Sequence, residues 1–171
     1  MGQVQSARIL RLSAVREWRE EGLPKDWRKI REAVLKRDDF TCFYCGIRSL
    51  KYMNVHHKEG RHYDNSPENL ITLCPLCHSC HHIGHAGINE FGKLLLLKEE
   101  VNQALVNGMI LKGADVSAVY EMLPVEADFG PEGLVELANM ILNGFVPDGR
   151  FLFFPNPDKY EIIKFLKENR K

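Results

Sequence analysis

The chain has 171 residues, 44% of them apolar, and a formal net charge of zero, which suits one domain, or one small domain with an appendage, of ordinary globular composition. Its most apolar short run, Leu94 to Leu97, falls far short of the ~20 residues of a membrane span, and the N-terminus has no apolar core of the secretory type. Five cysteines in such a chain point to a reducing compartment, the cytoplasm, and to metal binding rather than disulfides. The opening Met1-Gly2-Gln3-Val4-Gln5-Ser6 matches a myristoylation pattern, but the residues that follow are basic and amphipathic, so the match carries little weight. Charge is graded along the chain: residues 1–60 hold 13 Lys+Arg against 8 Asp+Glu, and residues 86–171 hold 9 against 13. The first third suits a polyanion, and the last half would be repelled by one.

In chain order, Leu10, Ala14, Val15 and Trp18 fall on one helical face, so a first helix is expected from about Ser6 to Glu21, ended by Gly22 and Pro24. A second helix is expected after Asp26 as its cap, with Trp27, Ile30, Val34 and Leu35 as the apolar stripe and Asp38-Asp39 as the stop. Tyr52 to His57 and Leu70 to Leu73 suit two short strands, separated by a polar loop over Gly60 to Glu68. Pro75 then opens a helix that runs through His78 and His82 to about Gly84. Beyond Gly87, helices are expected over Ile88–Asn107, Asp115–Leu123 and Pro131–Leu142. A short apolar strand follows at Phe151–Phe154, and a last helix opens at Pro157.

The chemistry-bearing residues lie in the middle. Cys42-Phe-Tyr-Cys45 and Cys74-Pro-Leu-Cys77 are two C-x-x-C knuckles, and four thiolates satisfy a tetrahedral zinc. Such an ion would clamp a segment too small to fold on its own apolar area. Cys80 is a spare thiol on the helix. His56 and His57 are adjacent on a strand and therefore point to opposite faces, which gives them different tasks. His78 and His82 are four apart on a helix and share a face. One strand histidine with two helix histidines would make an open metal site; the alternative is a set of surface histidines on a zinc knuckle.

Trp27 to Gly84 resembles the HNH endonuclease family, also called the ββα-metal or His-Me finger nucleases. The resemblance is carried by Cys42-x-x-Cys45-Gly46, Val55-His56-His57, Glu68-Asn69-Leu70 and Leu73-Cys74-x-x-Cys77-His78-x-x-x-His82, with the helical lead-in from Trp27 to Arg37-Asp38. It covers about a third of the chain and stops near Asn89. It implies an α+β fold: a zinc-stapled ββα-metal core over residues 38–88, basic helices over 1–37 before it, and a mostly α-helical extension over 89–171. The implied activity is metal-dependent cleavage of DNA phosphodiester bonds by nicking or double-strand cleavage. His57 is implied as general base and Asn69 as the residue that orients it. The resemblance also implies that His56, His78 and His82 hold a divalent metal, Mg2+ or Mn2+, with Ni2+ or Zn2+ also suited to imidazoles. Arg28, Arg31, Lys36, Arg37, Lys58 and Arg61 are the candidate DNA contacts, and His62, His81 and His85 are surface residues or phosphate contacts. The extension would serve a homodimer or a protein partner, with no membrane involved. The family is common in phages and mobile elements. The rival expectation is a non-catalytic zinc module that binds nucleic acid or protein. An RNA-directed nuclease ranks lower, because the chain has no aromatic stacking platform of the RNA-binding type.

Overall fold

A computed structural model of the chain describes residues 8–15, 24–60 and 62–169. Helix α1 spans Trp27–Arg37 and buries Val34 and Leu35, two of its four expected stripe residues. Asp26 precedes it, but its side chain makes no capping bond, so that expected cap is not formed. The stop is formed as expected. Asp38 accepts two bonds from the Arg37 guanidinium, at 2.7 and 2.9 Å, and one from the Thr72 backbone N–H at 3.1 Å. The end of the helix is thereby tied to the next strand pair. Asp39 and Phe40 then adopt positive φ of 47° and 52°, which turns the chain sharply into the first knuckle.

Strands β1 (Asn54–His57) and β2 (Leu70–Leu73) pair antiparallel, with His56 opposite Ile71 and His57 opposite Leu70. All four residues of β2 are buried, and the strand packs against both α1 and helix α2 (Pro75–His81). The second knuckle makes the N-terminus of α2: Cys74 Sγ accepts the backbone N–H of Cys77 at 3.4 Å, and Pro75 occupies the first turn. The helix expected to continue to Gly84 breaks at His82, which has φ −123° and ψ 47°, and α3 (Ile83–Ile88) begins after it.

The break is stabilised by the chain's first segment. Residues 8–15 are extended, which corrects the helix expected from Ser6 to Glu21; the remainder of that interval lies outside the described residues. Leu10 and Leu12 are buried at alternate positions, the period of a strand. Ser13 N–H donates to Cys80 O and Val15 N–H to His81 O, each at 2.8 Å, and Ile83 N–H donates to Ser13 O at 3.3 Å. The last carbonyls of a helix need donors from elsewhere, and here an extended segment supplies them. That long-range demand outweighs the helical spacing of the apolar residues.

The extension is built on a second sheet. Strand β3 (Gly92–Leu97) is central in the antiparallel order β4-β3-β5, with β4 at Val125–Asp128 and β5 at Phe151–Pro155. This corrects the helix expected over Ile88–Asn107. An unbroken apolar run of this length fits a strand buried on both faces, and Leu94, Leu95 and Leu97 are all buried. Helix α4 starts only at Gln103 and runs to Leu111, capped by Asn102, whose side chain accepts the Leu105 N–H. Helices α5 (Val116–Met122) and α6 (Gly130–Leu142) stand close to where the sequence places them, whereas the last helix, expected to open at Pro157, is preceded by a 3-10 turn over Pro157–Lys159 and starts as α7 (Glu161–Glu168). One apolar cluster joins Leu76 and Ile83 of the finger to Leu95, Leu134 and Phe153 of the extension. No helix among the described residues is long and apolar enough to cross a membrane.

The tightest junction between finger and extension is α3 against α6. A Cβ at Gly87 would lie 2.7 Å from Pro131 O, 2.8 Å from Val135 Cγ2 and 3.0 Å from Leu134 Cβ. Gly87→Ala should therefore lower stability by about 1–3 kcal/mol, read as a lower urea midpoint at unchanged slope. A midpoint equal to wild type would show that α3 and α6 can separate at no cost.

Candidate metal centres

The two knuckles meet. Cys42, Cys45, Cys74 and Cys77 each offer a sulfur, and the four lie within 4.8 Å of one another. Cys45 Sγ and Cys74 Sγ are 3.6 Å apart, against the roughly 3.8 Å edge of a tetrahedron with 2.3 Å zinc–sulfur bonds. Gly46, at φ +71°, closes the first knuckle turn where a side chain would be strained. Its N–H donates to Cys42 O at 3.1 Å. Burial pushes the Cys74 and Cys77 thiols well above the usual range, so their thiolate forms there need a cation beside them. The donor set and its spacing fit a structural zinc. Cys80 is not a member: it is buried, and its thiol donates to Leu76 O at 3.3 Å.

A second cluster begins at the next residue of α2. His56 from β1, His78 from α2 and His82 at the helix break place one ring nitrogen each within 4.8 Å of the others. Ring centroids are 5.5 Å apart for His56 and His78, 5.4 Å for His56 and His82, and 4.5 Å for His78 and His82. Burial first, then the neighbouring imidazoles, pushes His56 down to about 2 and His78 to about 3. Both are therefore neutral at pH 7, the form that ligates a metal. His82 Nδ1–H donates to Val15 O at 2.9 Å. That bond fixes the tautomer and directs the Nε2 lone pair away from the backbone, as outer partners of metal-bound histidines do. His78 and His82 also line an open cavity of about 420 Å³, whose far wall comes from Lys159, Tyr160 and Glu161 of the extension.

His57 does not join this cluster. It is 2% exposed, stacks on Trp27 with centroids 5.7 Å apart and planes 13° apart, and meets His62 edge-on at 5.3 Å. Its Nε2–H donates to Asn65 Oδ1 at 2.9 Å. Asn69 is buried and bridges the loop between the strands: Nδ2 donates to Asp64 O at 2.9 Å, and Oδ1 accepts the Glu59 N–H at 3.2 Å. Asn69 thus holds the loop that carries Asn65.

Two residues were not singled out from sequence. His81, expected on the surface, is pushed down to about 4 by burial and stacks on His56 at 4.5 Å. Its Nδ1 pairs with Ser13 Oγ at 3.0 Å, and its Nε2 is buried without a partner among the described residues. The second is Asn65, whose role depends on the loop fold and leaves no local signal. Among the candidate DNA contacts, several cations serve the fold instead. Arg31 donates to Met53 O at 2.7 Å, and Arg37 donates to Pro67 O and Leu70 O at 2.6 and 2.8 Å. Lys36 pairs with Glu32 one turn earlier at 2.7 Å. Arg28 and Lys58 are exposed, and Arg61 lies outside the described residues.

Comparison with known proteins agrees with this geometry. Residues 42–84 match the family described as HNH endonuclease. The chain is 36% identical over 56 residues to the Zorya protein ZorE of Escherichia coli, covering 31% of this chain and 15% of that protein. It is 25% identical over 79 residues to the type 4 apparatus protein DotN of Legionella pneumophila, covering 46% of this chain and 37% of that protein. The chain thus spans well under half the length of each of these relatives.

The neutral imidazoles predict an acid-sensitive fold. His56, His78 and His81 have folded pKa values below the unfolded ~6.5. Below pH ~6.5 the unfolded chain therefore binds more protons, and stability falls as pH falls. Each histidine contributes up to ~1.4 kcal/mol per pH unit to that fall. Melting curves from pH 7 to pH 5 should show the decline, and a His56→Asn, His78→Asn double variant with unchanged zinc content should flatten it. An equally steep decline in that variant would show that His56 and His78 are not its source, leaving His81 and the cysteines.

Proposed function

We propose that the HNH-type segment makes this chain a metal-dependent endonuclease that hydrolyses DNA phosphodiester bonds. The observation that carries the proposal is the convergence of three imidazoles, from β1, α2 and its break, beside a four-sulfur knuckle in the segment matching the HNH family. A divalent cation held by His56, His78 and His82 would supply positive charge opposite the charge that develops on the phosphodiester, and an all-imidazole set suits Mn2+, Ni2+ or Zn2+ as well as Mg2+. His57 is the proton acceptor for the attacking water. Its Nε2–H donates to Asn65 Oδ1, which orients the ring. Trp27 holds the ring plane, and Asn69 positions the base indirectly, through the loop it clamps. Arg28, Lys58 and Arg61 are the phosphate contacts of this proposal, with Arg31, Lys36 and Arg37 shaping the surface behind them. Residues 38–88 are the catalytic unit, 1–37 its basic lead and 89–171 an extension that offers a surface for a homodimer or a protein partner.

A second reading has its own support. His57 is buried on the face of β1 away from the three-histidine cluster, and the longer of the two matches is to a protein named for a type 4 apparatus. Both suit a zinc module that binds nucleic acid or protein without cutting.

Supercoiled plasmid separates the two. With Mn2+ or Mg2+ the purified chain should nick it, EDTA should stop the reaction, and His57→Ala and His78→Ala should each reduce the rate by at least ~100-fold with wild-type zinc content. Plasmid left intact by wild type across Mg2+, Mn2+, Ni2+ and Zn2+ would favour the non-catalytic module.

A further inference from the structure

The four-sulfur site has a fifth contributor, and it comes from outside the family segment. Asn107 on α4 is fully buried. Its Nδ2 donates to Cys77 Sγ at 3.3 Å and lies 3.7 Å from Cys80 Sγ. The amide cannot be turned round without losing a bond. Asn107 Oδ1 accepts from Gln103 Nε2 at 2.9 Å. Gln103 is itself fixed by the backbone of β5: its Nε2 donates to Phe153 O at 2.9 Å, and its Oε1 accepts the Phe153 N–H at 2.7 Å. The strand's polarity thus dictates the orientation of Gln103, Gln103 dictates that of Asn107, and an N–H is held against a ligand sulfur. A donor aimed at a ligand sulfur orients it, as outer partners of metal ligands do. Buried carboxamides are costly unless every group is satisfied, and this relay has one partner for each. Helix α4 approaches the first knuckle as well, since a Cβ at Gly108 would lie 3.5 Å from Cys45 O.

We propose that Asn107, held by Gln103, is a positioning residue of the zinc centre, and that the extension is a working part of that centre. Zinc and the extension then stabilise each other: the ion holds Cys77 against Asn107, and the relay holds the sulfur in place for the ion. This rests on the zinc reading of the four cysteines and is independent of nuclease activity.

The test uses the full chain and reads the metal directly. Wild type and Asn107→Leu are loaded with zinc, and release to an excess of chromogenic chelator is followed. Loss of an outer partner should speed release or weaken affinity by about 10–100-fold. Asn107→Asp, which keeps the acceptor for Gln103 but turns an acceptor toward sulfur, should do at least as much. In the cobalt-substituted protein, the sulfur-to-cobalt charge-transfer band of Asn107→Leu should move to longer wavelength, which a change of packing alone would not cause. Should both variants fail to fold, wild type still decides the matter. Removing zinc should raise amide exchange in α4 and β5, and unchanged protection there overturns the proposal. In folded variants, wild-type release rates with an unmoved band overturn it too. A wild type that holds no zinc would overturn the zinc reading itself.

Discussion

Sulfur burial is the constraint from which the rest of the molecule follows. Four cysteines from the two ends of a short hairpin share one dry pocket, and thiolates placed there cannot be stable without a cation. Given the cation, α2 starts at a fixed point, because Cys74 is at once a sulfur donor and the cap of the helix. A fixed α2 in turn fixes where His78 and His82 project. The hairpin supplies His56 to the same place, since β2 is locked between α1 and α2 and its register with β1 is set. A two-stranded sheet of four-residue strands would not hold such a register alone.

The opposite faces of β1 then carry different chemistry. One side presents imidazoles that burial and mutual repulsion hold neutral at pH 7. The other presents His57, ordered by Trp27, Asn65 and the loop that Asn69 clamps. The strand's period of two is what gives the adjacent histidines different surroundings. The extended segment at residues 8–15 also belongs to this layout. It ends α2, turns His82 through its bond to Val15, and pairs Ser13 with His81.

The extension is more than a passive appendage. Its sheet shares the apolar core of the finger, α6 lies across α3 at glycine distance, and Tyr160 donates to Ser79 on α2 at 2.7 Å. Lys159, Tyr160 and Glu161 wall the cavity in front of His78 and His82. The lining of that cavity is thus shared between the segment that matches the HNH family and residues outside it.

The four-sulfur cluster was legible from spacing, because C-x-x-C is the local consequence of a turn, whereas the choice of His56 beside His78 and His82 came from the family resemblance. Legible too were the hairpin, α1 and most later elements, whose apolar periods agree with their folds. Three features were not legible. Residues 8–15 have helical spacing but are extended, because donors were needed by carbonyls some 67 residues away in sequence. Leu94 to Leu97 read as helix, because an apolar run has no period and only burial on both faces decides it. Asn107, His81 and Asn65 gave no signal, since an amide or imidazole acquires its role from what surrounds it. The sequence by itself determined which atoms can bind metal, since that is a property of side-chain chemistry at short range. Which groups surround those atoms and on which face each histidine meets solvent, substrate or core was decided only by the tertiary structure, because desolvation and hydrogen-bond direction arise from contacts between distant segments.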